Sequence, residues 1–117
     1  MTPVCAATPT RASVLSGKAA FDRVFAARLK RHSRYFRFHY ADNALGHARL
    51  GMAVSRRVDK RAVVRNRLRR QIRQSFRLAS AALPALDIVV NARPEAAQAP
   101  REAVWRDLQD AWPQLAR

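Results

Sequence analysis

Between Arg56 and Arg77 the chain places ten of its 23 basic residues beside a single acid, Asp59, and still keeps an apolar period. Val64, Leu68, Ile72, Phe76 and Ala79 recur at helical spacing, and at 100° per residue they fall within an arc of about 120°. The spacing predicts a helix with one face on a core. Arg69, Arg73, Asn66, Arg77, Arg70 and Arg67 fill the opposite arc in that angular order. A solvated helix face ordinarily mixes both signs and favours Lys and Glu. Here five guanidinium groups and an amide point one way with no acid among them. Guanidinium forks match phosphate oxygens bidentately and stack on bases, so the pattern points to nucleic acid.

Composition narrows the field. A chain of 117 residues is one domain with a modest core. Its net charge of +15 and sequence pI near 11.8 cost compactness through self-repulsion, which a polyanionic partner relieves. A membrane surface is the other polyanion, but no apolar stretch approaches the roughly 20 residues that span a bilayer. The basic helix also lacks a Trp/Phe-rich face for insertion. The opening residues Met1 to Ala7 lack a basic region followed by an apolar run, so no signal peptide is expected and the cytoplasm is the expected compartment. Cys5, the only cysteine, reads as an incidental thiol.

Residues 1–15 carry two prolines and no sustained period, and are expected to be a flexible leader to a domain over residues 16–117. Ser16 can cap a first helix from Gly17 to Leu29 that turns Phe21, Val24, Phe25 and Leu29 inward. A basic break, Lys30 to Arg34, follows. Tyr35 to Tyr40 alternates with period two and predicts a strand. After turn chemistry at residues 42–46, Arg49 to Ser55 predicts a second strand, its hairpin partner. The long basic helix comes next, capped by Asp59, fading near Ala82 and closed by Pro84. Leu86 to Ala92 predicts a third strand. A loop through Gln98 leads to a last helix opened by Pro100 and ended by Pro113, with Val104, Trp105, Leu108, Ala111 and Trp112 inward. The order αββαβα makes a single α+β domain with one small sheet packed on one face by helices.

Strand parity carries a functional hint. Phe36, Phe38, Tyr40, Leu50, Met52, Val54, Ile88 and Val90 share one apolar face, which should take the long and last helices. Tyr35, Arg37, His39, Gly51, Ala53, Ser55, Val89, Asn91 and Arg93 share the other, a small, aromatic and basic surface too polar for a second core. A shallow groove for single-stranded nucleic acid fits that face; so does an ordinary solvent-facing sheet. A protein active site is not evident. His32, His39 and His47 lack metal-ligand spacing, no carboxylate pair suits a two-metal nuclease, and Asp107 and Asp110 read as solvated charge on the last helix.

The segment Ala62 to Arg77, with Arg65-Asn66-Arg67 at its start, strongly resembles the protein subunit of bacterial ribonuclease P, whose signature is an Arg-Asn-Arg helix. Arg49 to Arg57, Phe21 to Phe25 and Leu83 to Arg93 resemble that family's second strand, first helix and third strand in order. The resemblance implies a ribosomal protein S5 domain 2-like fold with a left-handed βαβ crossover, against the roughly 98% right-handed preference. It implies a partnership with the catalytic ribonuclease P RNA and precursor tRNA, with removal of the 5′ leader as the reaction. Mg²⁺ is then held mainly by RNA and substrate, and the protein supplies no catalytic residue and no metal ligand. By the same resemblance Phe21, Phe25, Arg37, His39, Ala53 and Ser55 line a leader groove flanked by Arg65, Arg69 and Arg73. Asn66, Arg67, Arg70 and Arg77 belong to the face that contacts the RNA body, together with Arg65, Arg69 and Arg73, while Arg56, Arg57, Lys60 and Arg61 hold phosphates. No protein partner and no membrane are required. The competing class is a ribosomal-type structural RNA-binding protein; a DNA regulator fits less well, because the basic helix lies between strands rather than in a helix-turn-helix.

Overall fold

Leu86 to Val90 is buried at every position, as a strand paired on both edges and covered on both faces must be. It belongs to β4 (Leu86–Ala92) in the computed structural model, which describes residue 15 and residues 17–115. The elements run α1 (Lys18–Ala26), β1 (Leu29–His32), β2 (Phe36–Asp42), β3 (Arg49–Ala53), α2 (Ala62–Ala79), a 3-10 turn (Ser80–Ala82), β4, α3 (Pro94–Gln98) and α4 (Arg101–Leu115). The sheet order is β1-β2-β4-β3. β4 pairs antiparallel with β2 and parallel with β3.

Three expectations change here. β2 and β3 are not a hairpin: β4 lies between them, paired along both edges and buried from Leu86 to Val90. The basic break is partly a strand, β1, paired with β2 from Leu29↔Tyr40 to His32↔Arg37. All four of its residues are exposed, so it shows no alternation to read. α1 stops at Ala26, and Arg28 takes a left-handed φ of 59° at the turn into β1. The expected Ser16 cap and the residue 1–14 leader lie outside the described residues. Leu15 is buried and donates its N–H to the Leu50 carbonyl at 2.8 Å.

The main core forms as parity requires. Val64, Leu68, Ile72 and Phe76 of α2 meet Phe36, Phe38, Leu50, Ile88 and Val90 of the sheet and Val104, Leu108, Ala111 and Trp112 of α4. Ser75, buried inside the α2 stripe, accepts a 2.6 Å hydrogen bond from Trp112 Nε1. The Trp112 ring sits edge-on to Phe38 and Phe76. α4 does not end before Pro113 but runs to Leu115, whose side chain is buried in this core. Trp105, expected inward, is only half-buried. Asp107 is not solvated charge either: it accepts from Ser33 Oγ at 2.7 Å and from the N–H groups of Arg34 and Tyr35, clamping the β1–β2 turn.

The opposite sheet face, expected to be too polar for a core, carries a small one under α1. Leu15, Val24, Ala41 and Val89 are buried there with Ala20 and Phe21 against them. Gly51 makes this possible, since a Cβ on it would stand 2.7 Å from Phe21 Cζ. Next to this core lies Asp87, wholly buried. Its carboxylate accepts from Arg49 Nε and Nη2 at 2.7 and 2.6 Å, from Asn43 Nδ2 at 2.8 Å, and from Arg23 Nη2 of α1. One carboxylate thus fastens α1, β3 and the β2–β3 loop to the central strand.

Removing one partner from a buried ion pair is expensive because the other charge stays desolvated. Arg49→Ala, which strands the wholly buried Asp87 carboxylate without its bidentate partner, should therefore lower the unfolding free energy in urea by about 3 kcal/mol. Arg23→Ala, at a half-exposed partner, should cost clearly less. A loss below about 1 kcal/mol for Arg49→Ala would contradict the hub.

Candidate nucleic-acid interface

Sheet register sets the floor of a groove beside α1. One row across the strands reads His32, Arg37, Asn91, Ala53, and the next reads Lys30, His39, Val89, Gly51. α1 covers the second row at Val89 and Gly51 and leaves the first open. A hollow of about 460 Å³ lies over that open row, lined by Arg37, Ala53 and Asn91 with Ser55, Arg57 and Arg93 at its end. Phe25, 40% exposed on α1, stands edge-on to the His39 ring at 4.8 Å between centroids. Phe21, by contrast, spends its ring on Gly51 and the small core.

His39 titrates below the ordinary histidine value, first because burial disfavours the imidazolium and then because Arg37, Lys30 and His32 repel it. At neutral pH it is therefore a neutral ring, able to stack or to exchange one hydrogen bond, amid cations able to hold phosphates.

The basic helix divides its arginines between two tasks. Arg65 donates to the carbonyls of Asp59 and Lys60 at 3.0 and 2.8 Å. Arg69 donates to the Val54 carbonyl at 3.0 Å and to Asn66 Oδ1 at 2.9 Å. These two brace the turn between β3 and α2. Arg67 reaches the Ala97 carbonyl of α3 at 3.3 Å, with its Nε buried and unpartnered. Arg70 and Arg73 are exposed and make no ion pair or hydrogen bond among the described residues; with Gln74 and the half-buried Arg77 they line a hollow of about 200 Å³. Arg56, Arg57 and Lys60 are exposed on the turn. Asp59 does not cap α2. The N-cap is Arg61, whose N–H and guanidinium Asp59 accepts, and that pairing holds the Asp59 carboxyl down at about 2.

Strand parity already puts Asn91 and Arg93 on the groove face, and the β2–β4 pairing sets Asn91 directly beside Arg37. Lys30 joins His39 only because β1 exists, which the sequence pattern does not indicate. Among the described residues no group of three His, Cys, Asp or Glu side chains is placed to hold a metal ion. No helix among them is long and apolar enough to cross a membrane.

Comparison with known proteins gives one consistent result. The family model described as Ribonuclease P matches residues 10–116. The ribonuclease P protein component of Coxiella burnetii (strain Dugway 5J108-111) is 37% identical over 99 residues, covering 85% of this chain and 82% of the relative. That of Legionella pneumophila (strain Corby) is 39% identical over 106 residues, covering 91% of each. Among solved structures, the RNase P protein of Staphylococcus aureus superposes with a TM-score of 0.82 at 28% identity, over 92% of this chain and 97% of that one. The RNase P protein of Thermotoga maritima gives 0.77 at 25% identity, over 86% and 96%.

The His39 surroundings generate a prediction with a definite sign. With its folded value below its unfolded value, His39 contributes stability that is fully present above pH 6.5 and is lost as pH falls. An NMR titration should place His39 below 6.5, and His39→Gln should flatten the loss of stability between neutral pH and pH 5. A His39 titration at or above 6.5 would contradict the crowding of cations around it.

Proposed function

The chain belongs to the ribonuclease P protein family, which places it in tRNA 5′-end processing with ribonuclease P RNA, and from that premise we propose how its two basic faces divide the work. The α1 groove takes the single-stranded 5′ leader of precursor tRNA. Phe25 and His39 offer rings on which a base stacks, and Arg37 follows the backbone. Ala53 and Ser55 keep the floor low enough for a strand to lie on it. Stacking on an aromatic side chain contributes about 1–3 kcal/mol per base whatever the base is. The outward arginines of α2, Arg70, Arg73 and Arg77, take the phosphates of the catalytic RNA, joined by Arg56, Arg57, Lys60 and Arg61 at the turn. Arg65, Asn66 and Arg69 hold that turn to the helix between the two RNAs.

The observation that carries this reading is the uncovered row Arg37, Asn91, Ala53 beside Phe25 and His39, on the sheet face away from the face that packs α2. Two separate basic surfaces suit a protein that bridges two RNAs. On this reading bond cleavage belongs to the RNA, with Mg²⁺ held by RNA and substrate. The protein neutralises phosphates between them and so lowers the Mg²⁺ needed for assembly. Three of its eight acids are committed to structure: Asp87 to Arg23 and Arg49, Asp59 to Arg61, Asp107 to the β1–β2 turn. It acts in the cytoplasm and needs no protein partner.

The test is cleavage of a leader-bearing precursor tRNA at low millimolar Mg²⁺, with protein alone, a bacterial ribonuclease P RNA alone, and both. Cleavage at the mature 5′ end is expected only in the mixture. Phe25→Ala should weaken binding of the leader-bearing substrate about fivefold or more and leave leaderless tRNA unaffected. Equal losses on both substrates would remove the leader from this groove. Tight RNA binding without any stimulation would instead indicate a structural RNA-binding protein.

A further inference from the structure

On the helix layer, away from the α1 groove, α2 and α4 are tied together at Ser75–Trp112 and where Gln71 Nε2 donates to the Arg101 carbonyl at 3.0 Å. Between them lies a cleft of about 530 Å³, within the range of small-ligand sites. Trp105 is set in its wall. Its neighbours on α4, Val104 and Leu108, are spent in the core, but Trp105 is half-buried, and its indole makes no hydrogen bond and no ring contact among the described residues. Around it stand Arg70, Arg101 and Arg106, each exposed and in no ion pair or hydrogen bond through its side chain among those residues. Glu102, the one acid in the wall, pairs with none of them. The cleft shares Arg67, Arg70 and Arg101 with a second hollow of about 520 Å³ that reaches Asn66 at the start of α2.

We propose that this cleft captures an unpaired nucleotide of the catalytic RNA, with its base against Trp105 and its flanking phosphates on Arg70, Arg101 and Arg106. The proposal rests on the assignment of the outer face of α2 to that RNA, and it adds where and in what state a nucleotide is held. An aromatic ring ringed by free guanidinium groups is the combination that stacks a base while neutralising its backbone. A paired base cannot enter, so the nucleotide comes from a loop, bulge or end. Glu102 repels phosphate from its side of the cleft. The base edge therefore faces Glu102, which can accept from an exocyclic amine, beside the Gln109 amide. An acidic peptide is the competing occupant, but it lacks the paired requirement for a flat ring and several phosphates.

The experiment measures affinity of the full chain for a bacterial ribonuclease P RNA transcript, its salt dependence, and chemical probing of base edges in the complex. Trp105→Leu should weaken binding about fivefold to a hundredfold with an unchanged salt slope. It should also re-expose one or two unpaired bases that the wild type protects. Trp105→Phe, which keeps a flat ring, should restore most of the affinity and the protection. Arg101→Ala should reduce the salt slope by about 1. Wild-type affinity in Trp105→Leu would overturn the proposal and leave the cleft to a protein ligand. Protection confined to paired bases would overturn it as well. Arg73→Ala, outside the cleft, separates the two readings. If it lowers the salt slope while Trp105→Leu changes nothing, only the cleft fails. If neither has an effect, the RNA-binding role of α2 fails with it.

Discussion

Asp87 is a carboxylate with no access to water, placed on the one strand that every other layer touches. Such a charge is tolerable only when paired and hydrogen-bonded, and here the partners come from α1, β3 and the β2–β3 loop. The electrostatic demand of one side chain therefore decides where α1 can sit. That position covers the Val89–Gly51 row and leaves the Arg37–Asn91–Ala53 row open. The groove is a consequence of how far along the sheet α1 is fastened. Phe21 over Gly51 fixes its height, since any larger residue would lift the ring.

A net charge of +15 would repel itself without some internal use for the cations. Part of the arginine set is turned inward to carbonyl oxygens: Arg65 to Asp59 and Lys60, Arg69 to Val54, Arg67 to Ala97. Arg65 and Arg69 thereby bind carbonyls of the turn that leads into α2, and Arg67 binds one in α3. What remains unpaired is gathered on surfaces rather than scattered. Arg70 and Arg73 lie along α2, and Arg101 and Arg106 face them from α4. The same residue type thus builds the turn and equips the exterior. The distinction rests on whether a carbonyl oxygen lies within reach.

The long helices and the main core were legible because amphipathic periods survive in the sequence: Val64, Leu68, Ile72 and Phe76 fall where the period places them, whereas α3, read as a loop, is too short to show one. β1 was invisible because an edge strand exposed on both faces needs only backbone partners. The apolar triplet Ile88, Val89 and Val90 marks β4 as a strand covered on both faces, but adjacency in sequence suggested the β2–β3 hairpin instead. Asp107 and Trp105 both follow the helical period and still depart from it, because their surroundings come from distant elements: the β1–β2 turn for one, α2 for the other. Pro113 ends nothing, since the burial of Trp112 and Leu115 on either side holds the last turn in helical form. Of the groove, Arg37, His39, Ala53 and Phe25 were readable from parity and family resemblance. Asn91 and Arg93 were on the same face by parity, while Lys30 needed the β1 pairing.

Site-directed crosslinking decides whether the two basic faces meet different RNAs. In a Cys5→Ser background, a photoreactive group is attached through Ala53→Cys in the groove or through Arg73→Cys on α2. Each protein is then irradiated in the complex with precursor tRNA and ribonuclease P RNA. Position 53 should label leader nucleotides and position 73 the catalytic RNA. Labelling of the same RNA segment from both positions, or of the leader from position 73 alone, would contradict it.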